Sequence, residues 1–328
     1  MTDVRIDEAS VGDAAAIWDV ISTAFAARPH LDPSTTALSE TAETVEAALR
    51  AHGGLWCQID GIPAGALLFA AAASDRALAL RRVCVLPCFQ SRGVASALVG
   101  MAEEVAAARG FDELALQVRS ELPEAVTFWT RRGYVETARH GQRLTLDKAL
   151  PVEVGAATAE ETRALGRQLA GLTRAGDVLI LTGELGAGKT TLTQGIALGL
   201  QVRGAATSPT FVIARVHPSL TAGPALLHVD AYRLGDSLEL DELDLDASLD
   251  ESVTVIEWGE GIAESLSQDR LVVELIRSRG TETAPGSVEA DARTIKITPV
   301  GGRWIGAGLR SAICLGVRAS GMGHAAAP

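Results

Sequence analysis

Residues 178–192 read VLILTGELGAGKTTL, and this stretch decides the fold of the second half of the chain. Val178–Leu181 is an apolar run of strand length. Gly183-Glu184-Leu185-Gly186-Ala187-Gly188-Lys189-Thr190 then satisfies G-x-x-x-x-G-K-[ST] at every position, and the apolar spacing after Lys189 predicts a helix. A glycine turn between strand and helix lets consecutive backbone N–H groups face inward, and the helix N-terminus adds partial positive charge. Together they suit a triphosphate. Lys189 would reach its β- and γ-phosphates, and the Thr190 hydroxyl would hold Mg²⁺.

Working outward, strands are expected at Leu226–Val229, Val253–Ile256, Arg270–Leu275 and Thr294–Ile297, and alternation with helices predicts a largely parallel sheet flanked by helices. Asp230 ends the first of these strands and Glu257 the second. Each is an acid placed to secure Mg²⁺ or water beside the phosphate loop. Thr158-Ala159-Glu160-Glu161 has the layout of a capping box and opens the domain after Pro151. Residues 236–251 (DSLELDELDLDASLDE) carry eight acids and no base, but the regular leucines predict a folded helical surface. Residues 278–290 read as an insertion and the Gly/Ala-rich end from Ile305 as a loose tail.

The ordered set GELGAGKTTL, SPTF (Ser208–Phe211), HVDAYRL (His228–Leu234), LDELDLDASLDE and IEWGE (Ile256–Glu260) resembles the TsaE (YjeE) family of bacterial P-loop ATPases over about residues 155–275. The resemblance implies a role in threonylcarbamoyladenosine synthesis on tRNAs that read codons beginning with A. It implies ATP hydrolysis in support of a TsaB–TsaD heterodimer, which carries out the transfer. By motif, Gly183–Thr191 hold the phosphates: Gly183, Glu184, Leu185, Gly186, Ala187, Gly188, Lys189, Thr190 and Thr191. Thr190 and Glu257 ligate Mg²⁺, Asp230 orients Mg²⁺ or water, and Ser208 and Thr210 belong to a switch-like loop. Trp258 reads either as a packed aromatic anchoring Glu257 or as a ligand-stacking ring.

The first half reads as one α+β domain with a mixed sheet. A strand at Val4–Ile6 leads to helices after Asp13 and over 41–51, then to a hairpin (Leu55–Ile59, Ala64–Ala72) and a strand Leu80–Leu86 stopped by Pro87. A long helix with Val94, Leu98, Val99, Met101, Ala102 and Val105 inward follows and is stopped by Gly110, then strands at Leu114–Val118 and around Arg143–Leu146. LRRVCVLPCFQSRGVASALV (80–99) with AVTFWTRRGY (125–134) resembles the GNAT acetyltransferases over about 3–147. The resemblance implies acetyl-CoA, with its pantetheine beside Val83 and Val85 and its pyrophosphate on Gln90, Ser91, Arg92, Gly93, Val94, Ala95 and Ser96. Trp129 stands where many members carry a tyrosine that protonates the leaving thiolate, and an indole cannot do this.

Composition sets the limits. The 328 residues, 47% hydrophobic, are enough for two cores, expected at 1–150 and 151–304 with a tail at 305–328. Net charge is −12, and both halves are acidic: 14 basic against 19 acidic residues in 1–150, and 15 against 22 after it. No broad basic face exists for nucleic acid, so any tRNA contact would be made through partner proteins. Only Lys148, Lys189 and Lys296 are lysines. The four cysteines are irregularly spaced, Cys84 and Cys88 have no second ligand pair, and they read as ordinary thiols of a reducing compartment. The opening sequence has no secretory layout, and Ile62–Ala73 is too short to span a bilayer, so a cytoplasmic location and no membrane partner are expected. Competing readings are a nucleotide-dependent switch or scaffold or a small-molecule kinase for the second half, and an acetyl-CoA sensor for the first.

Overall fold

A computed structural model of the protein describes residues 3–28, 36–209, 213–243, 245–277 and 292–313. The chain forms two compact units, Met1–Leu150 and Pro151–Pro328. Each is built around its own sheet. Among the described residues no helix is long and apolar enough to cross a membrane.

The first unit runs β1 (Val4–Glu8), α1 (Ala14–Ala26), α2 (Ala42–His52), β2 (Gly54–Ile59), β3 (Ile62–Ala71), β4 (Ala77–Val85), α3 (Val94–Ala108), β5 (Glu113–Arg119), α4 (Pro123–Thr130), β6 (Val135–His140) and β7 (Arg143–Ala149). Sheet order is β1-β2-β3-β4-β5-β7-β6, antiparallel except for the β4–β5 pair. Helices cover both faces. Ile17, Val20 and Ile21 of α1 pack with Val45 and Leu49 of α2 on one side, and Leu98, Val99 and Ala102 of α3 join Leu114 and Leu146 on the other. Each such buried leucine or isoleucine contributes roughly 1.5–3 kcal/mol over exposure. The β4–β5 pairing stops at Leu80–Leu116, and beyond it the strands diverge. Strand β6 goes unnoticed in the sequence because it is a polar edge strand with no buried face.

The second unit runs β8 (Val152–Ala156), α5 (Ala159–Ala170), β9 (Val178–Thr182), α6 (Lys189–Leu200), β10 (Ala214–His217), β11 (Ala225–Asp230), α7 (Ser237–Asp241), α8 (Asp246–Leu249), β12 (Ser252–Glu257), β13 (Arg270–Arg277) and β14 (Arg293–Val300). Sheet order is β10-β11-β12-β9-β13-β14-β8. The four central strands are parallel, as the alternation predicts, and antiparallel strands extend both edges. Thr158 caps α5 by accepting from Glu161 N at 3.1 Å, while Glu161 reaches back to Ala157 N at 2.7 Å. Helices α5 and α6 meet backbone to backbone. A Cβ on Gly195 would lie 2.2 Å from Arg163 O, one on Gly166 2.4 Å from Leu192 O, and one on Gly199 2.5 Å from Ala170 Cβ.

The acidic stretch folds as expected into short helices: Leu240 and Leu245 are buried and Leu243 and Leu249 pack beside them, while Leu238 stays exposed. The end of the unit differs from expectation. Residues 309–313 are helical and bury Leu309 and Ile313, so the apolar residues dispersed among glycines there are core, and the tail expected from Ile305 begins no earlier than 314. The insertion at 278–290 and residues 314–328 lie outside the described residues.

Candidate functional site

Parallel pairing brings the acids to the phosphate loop. Strand β12 lies between β11 and β9, with Asp230 in register with Glu257 and Glu257 with Leu181. Both carboxylates therefore stand at the carboxyl edge of the sheet, where the loop 183–188 leaves β9 and enters α6. Gly188, at φ 108°, is the residue before the helix, in a conformation that side chains with a Cβ rarely adopt. This turn sets Lys189 and Thr190 in the first turn of α6.

Glu257 is buried and held on both oxygens. Its Oε2 accepts from Thr190 Oγ1 at 2.9 Å, and its Oε1 accepts from His228 Nε2 at 2.9 Å and lies 3.2 Å from Thr193 Oγ1. A carboxylate only accepts, so His228 carries its proton on Nε2, and its buried Nδ1 has no hydrogen-bond partner among the described residues. Behind His228 the ring of His217 lies 6.5 Å away, centroid to centroid, and burial lowers the His217 pKa. Asp230 accepts from Ser208 Oγ at 2.7 Å and from Tyr232 N at 3.2 Å. Lys189 is buried, which lowers its pKa against the pull of Glu257 and Asp230, and its Nζ donates to Gly183 O at 2.7 Å and Glu184 O at 3.1 Å. A hydroxyl and a buried carboxylate oxygen 2.9 Å apart, both hard oxygen donors, fit Mg²⁺, which takes few protein ligands and completes its shell with water and phosphate.

The structure thus brings together Lys189, Thr190 and Glu257, with Asp230 and Ser208 at the end of the neighbouring strand. Thr210 lies outside the described residues. Sequence reasoning assigns no role to Thr193, His228 or Arg293. Thr193 follows from the helical i, i+4 spacing with Lys189, and its single hydroxyl proton is shared between Lys189 O at 3.0 Å and Glu257 Oε1 at 3.2 Å. Buried Arg293 donates to Thr162 Oγ1 at 2.9 Å and stands beside Gly188, where a Cβ would lie 3.5 Å from its Nε, supporting the loop from β14; no pattern in the sequence points to it.

In the first unit the divergence of β4 from β5 opens a gap. Leu86 N bonds Ala64 O, so Cys84 and Leu86 direct their backbone groups to β3, and alternation turns those of Val83 and Val85 to the gap. A cavity of about 320 Å³ follows, lined by Val85, Phe89, Gln90, Ser91, Gly93, Val94, Ala95, Ser96 and Phe128. Most of the expected cofactor residues therefore meet around one space, with Ser91 at φ 59° and Gly93 at φ 82° making the turn into α3. Two stand apart. Val83 O already accepts from Arg28 Nη2 at 3.0 Å, and Arg92 lies over the Phe89 ring at 5.5 Å rather than along the cavity wall. Arg132 donates to Ser96 Oγ and to Phe128 O. Trp129 is buried edge-on to Tyr134, and burial raises the Tyr134 phenol pKa far above its ordinary value, so neither ring offers a titrating acid.

Two stretches of the chain match known families. Residues 156–284 match the family described as "Threonylcarbamoyl adenosine biosynthesis protein TsaE", and residues 17–134 match "Acetyltransferase (GNAT) family". The tRNA threonylcarbamoyladenosine biosynthesis protein TsaE of Streptomyces coelicolor is 58% identical over 143 residues, 43% of this chain and 93% of that protein. The TsaE protein of Mycobacterium tuberculosis is 51% identical over 131 residues, 38% of this chain and 78% of that one. Among solved structures, Bacillus subtilis YdiB is 31% identical and covers 52% of this chain and 96% of its own (TM-score 0.38). The PaiA N-acetyltransferase of Thermoplasma acidophilum, solved with coenzyme A, is 16% identical and covers 45% and 99% (TM-score 0.40).

Proposed function

The chain belongs to the TsaE family through its second unit, and from that premise we propose that it is a Mg²⁺-dependent ATPase of tRNA threonylcarbamoyladenosine synthesis. We place its action in the cytoplasm, with a TsaB–TsaD heterodimer, on tRNAs that read codons beginning with A. The observation that carries the reading is the convergence of Lys189, Thr190 and Glu257 at one sheet edge, with Asp230 on the adjacent strand. The amides of 183–191 and the Lys189 ammonium bind the β- and γ-phosphates. Thr190 Oγ1 and Glu257 Oε2 would hold Mg²⁺, which when bound would supply charge neutralisation at the phosphates. Asp230 orients water or the metal's water shell, and His228 with Thr193 keeps the Glu257 carboxylate turned toward Thr190. Contact with tRNA runs through the partners, because a chain of net charge −12 repels phosphate. The test is the ATPase rate of the full chain with and without TsaB–TsaD: stimulation supports the reading, whereas an unchanged rate with nucleotide-gated association makes the unit a switch.

The first unit, a GNAT domain by its family match, we read as an acetyl-CoA site. The cavity at 90–96 would hold the pyrophosphate on the α3 amides, with pantetheine along β4. The absence of a titrating group at Trp129 favours cofactor binding with slow or no transfer over rapid catalysis. Thiol release from acetyl-CoA in the presence of amines and peptides separates the two: binding without release identifies a sensor.

A further inference from the structure

Trp258 is built in a way that packing alone does not require. It follows the buried Glu257 directly, and its backbone sits at φ 62°, a conformation rarely taken by a bulky residue. Both neighbours enforce it. Glu257 is fixed inward by three side chains, and Gly259 is pressed so close that a Cβ there would lie 2.8 Å from Ile256 Cγ2 and 3.1 Å from Ala263 Cβ. Trp258 N donates to Leu181 O at 3.0 Å, pinning the kink to the strand that feeds the phosphate loop. Strain held in place by its surroundings is a sign of use.

The indole that this kink presents carries the loop lysine. Lys189 Nζ stands 3.4 Å from the ring centroid. An ammonium has three N–H bonds; two of the acceptors here are Gly183 O and Glu184 O, and the indole face fills the remaining side. The Tyr232 ring, 5.2 Å away and tilted, buttresses the indole from the short helical segment that Asp230 caps. We propose that Trp258 is a positioning residue that holds the Lys189 ammonium, by cation–π contact, in the conformer that meets the nucleotide phosphates. The ring does not touch nucleotide; it acts through the lysine. This inference rests on the ATP reading of the loop. A long, flexible side chain that is ordered before the ligand arrives loses less freedom on binding.

The experiment is a double-substitution cycle on the full chain, with MgATP affinity read by calorimetry for the wild type, W258L, K189A and K189A/W258L. Loss of one cation–π contact should weaken binding by about fivefold in the Lys189 background. In the K189A background the same substitution should change affinity by less than about twofold, because the ring has nothing left to hold. W258F, which keeps a π face, should restore most of the loss and serves as the cycle's second variant if W258L does not fold. A fivefold loss that persists with K189A means that the ring stacks on the nucleotide and overturns the proposal. Affinity unchanged in W258L overturns it too. If the wild type binds no ATP, the loop reading itself fails, and the positioning role with it.

Discussion

The protein carries two strand-turn-helix loops, 90–93 and 183–188, each followed by the first turn of a helix, α3 and α6. Both have a glycine at positive φ immediately before the helix, Gly93 and Gly188. They differ in what converges on them. The second receives a lysine, two threonines, a glutamate and a histidine in one bonded cluster, with an aspartate on the next strand; the first borders an open cavity with aliphatic, aromatic and small polar side chains and one neighbouring guanidinium. Backbone geometry alone makes an anion cradle. To such a cradle the parallel sheet edge of the second unit adds side chains delivered from neighbouring strands.

The difference can be broken experimentally. The largest expected effect is K189A, which should lower ATP hydrolysis at least about a hundredfold, since it removes a charge aimed at the transferred phosphoryl; acetyl-CoA binding by the same protein should be unchanged. Comparable hydrolysis by the variant would remove the distinction. E257Q should abolish the gain in ATP affinity that Mg²⁺ confers while leaving metal-free binding nearly intact, measured by calorimetry with and without Mg²⁺.

A backbone-only cradle should instead be sensitive to its turn. G93A imposes a Cβ at φ 82°, with no steric clash nearby, and the conformational cost of roughly 1–2 kcal/mol should weaken acetyl-CoA binding by about tenfold without altering ATP turnover. Equal affinity would mean that this loop does not bear the cofactor. His217, behind His228, has an acid signature. His217 has its pKa lowered by burial, so the native state keeps it neutral while the unfolded chain takes up a proton below the ordinary histidine range. Its contribution to stability is present above that range and is lost as pH falls through it. Melting of the wild type should therefore decline more steeply below about pH 6.5 than melting of H217Q.

The smallest effect concerns thiols beside the first loop. Burial pushes the Cys84 pKa up to about 12, whereas Cys88 is exposed just before Phe89 and Gln90. Iodoacetamide at pH 8 should label Cys88 and spare Cys84 and Cys57, and acetyl-CoA should slow the labelling of Cys88 severalfold, read by peptide mass spectrometry. Labelling at a constant rate would place the cofactor elsewhere.

The sequence shows the central strands of both sheets and the phosphate loop plainly, because buried strands read as apolar runs and the loop chemistry fixes residue types at fixed spacing. Edge elements are harder. β6 buries no face, β10 carries only four residues, and β8 follows Pro151 in what looks like a linker. The acids were legible as strand-end residues, but the partners of Glu257 were not: His228 reaches it from the neighbouring strand and Thr193 from α6, and both relations depend on register and helix phase. Arg293 is invisible for the same reason, being local in space to Gly188 and remote in the chain.

The glycine contacts between α5 and α6 carry a consequence for tolerance to change. With Gly195 set against Arg163 O, Gly166 against Leu192 O and Gly199 against Ala170, the two helices behave as a single splint rather than as neighbours able to slide. A methyl group at any of these three positions would act as a wedge. Because Lys189 rides on one half of the splint, a substitution two or three turns from the ammonium would tilt it off target, disabling the loop without altering a single residue in it.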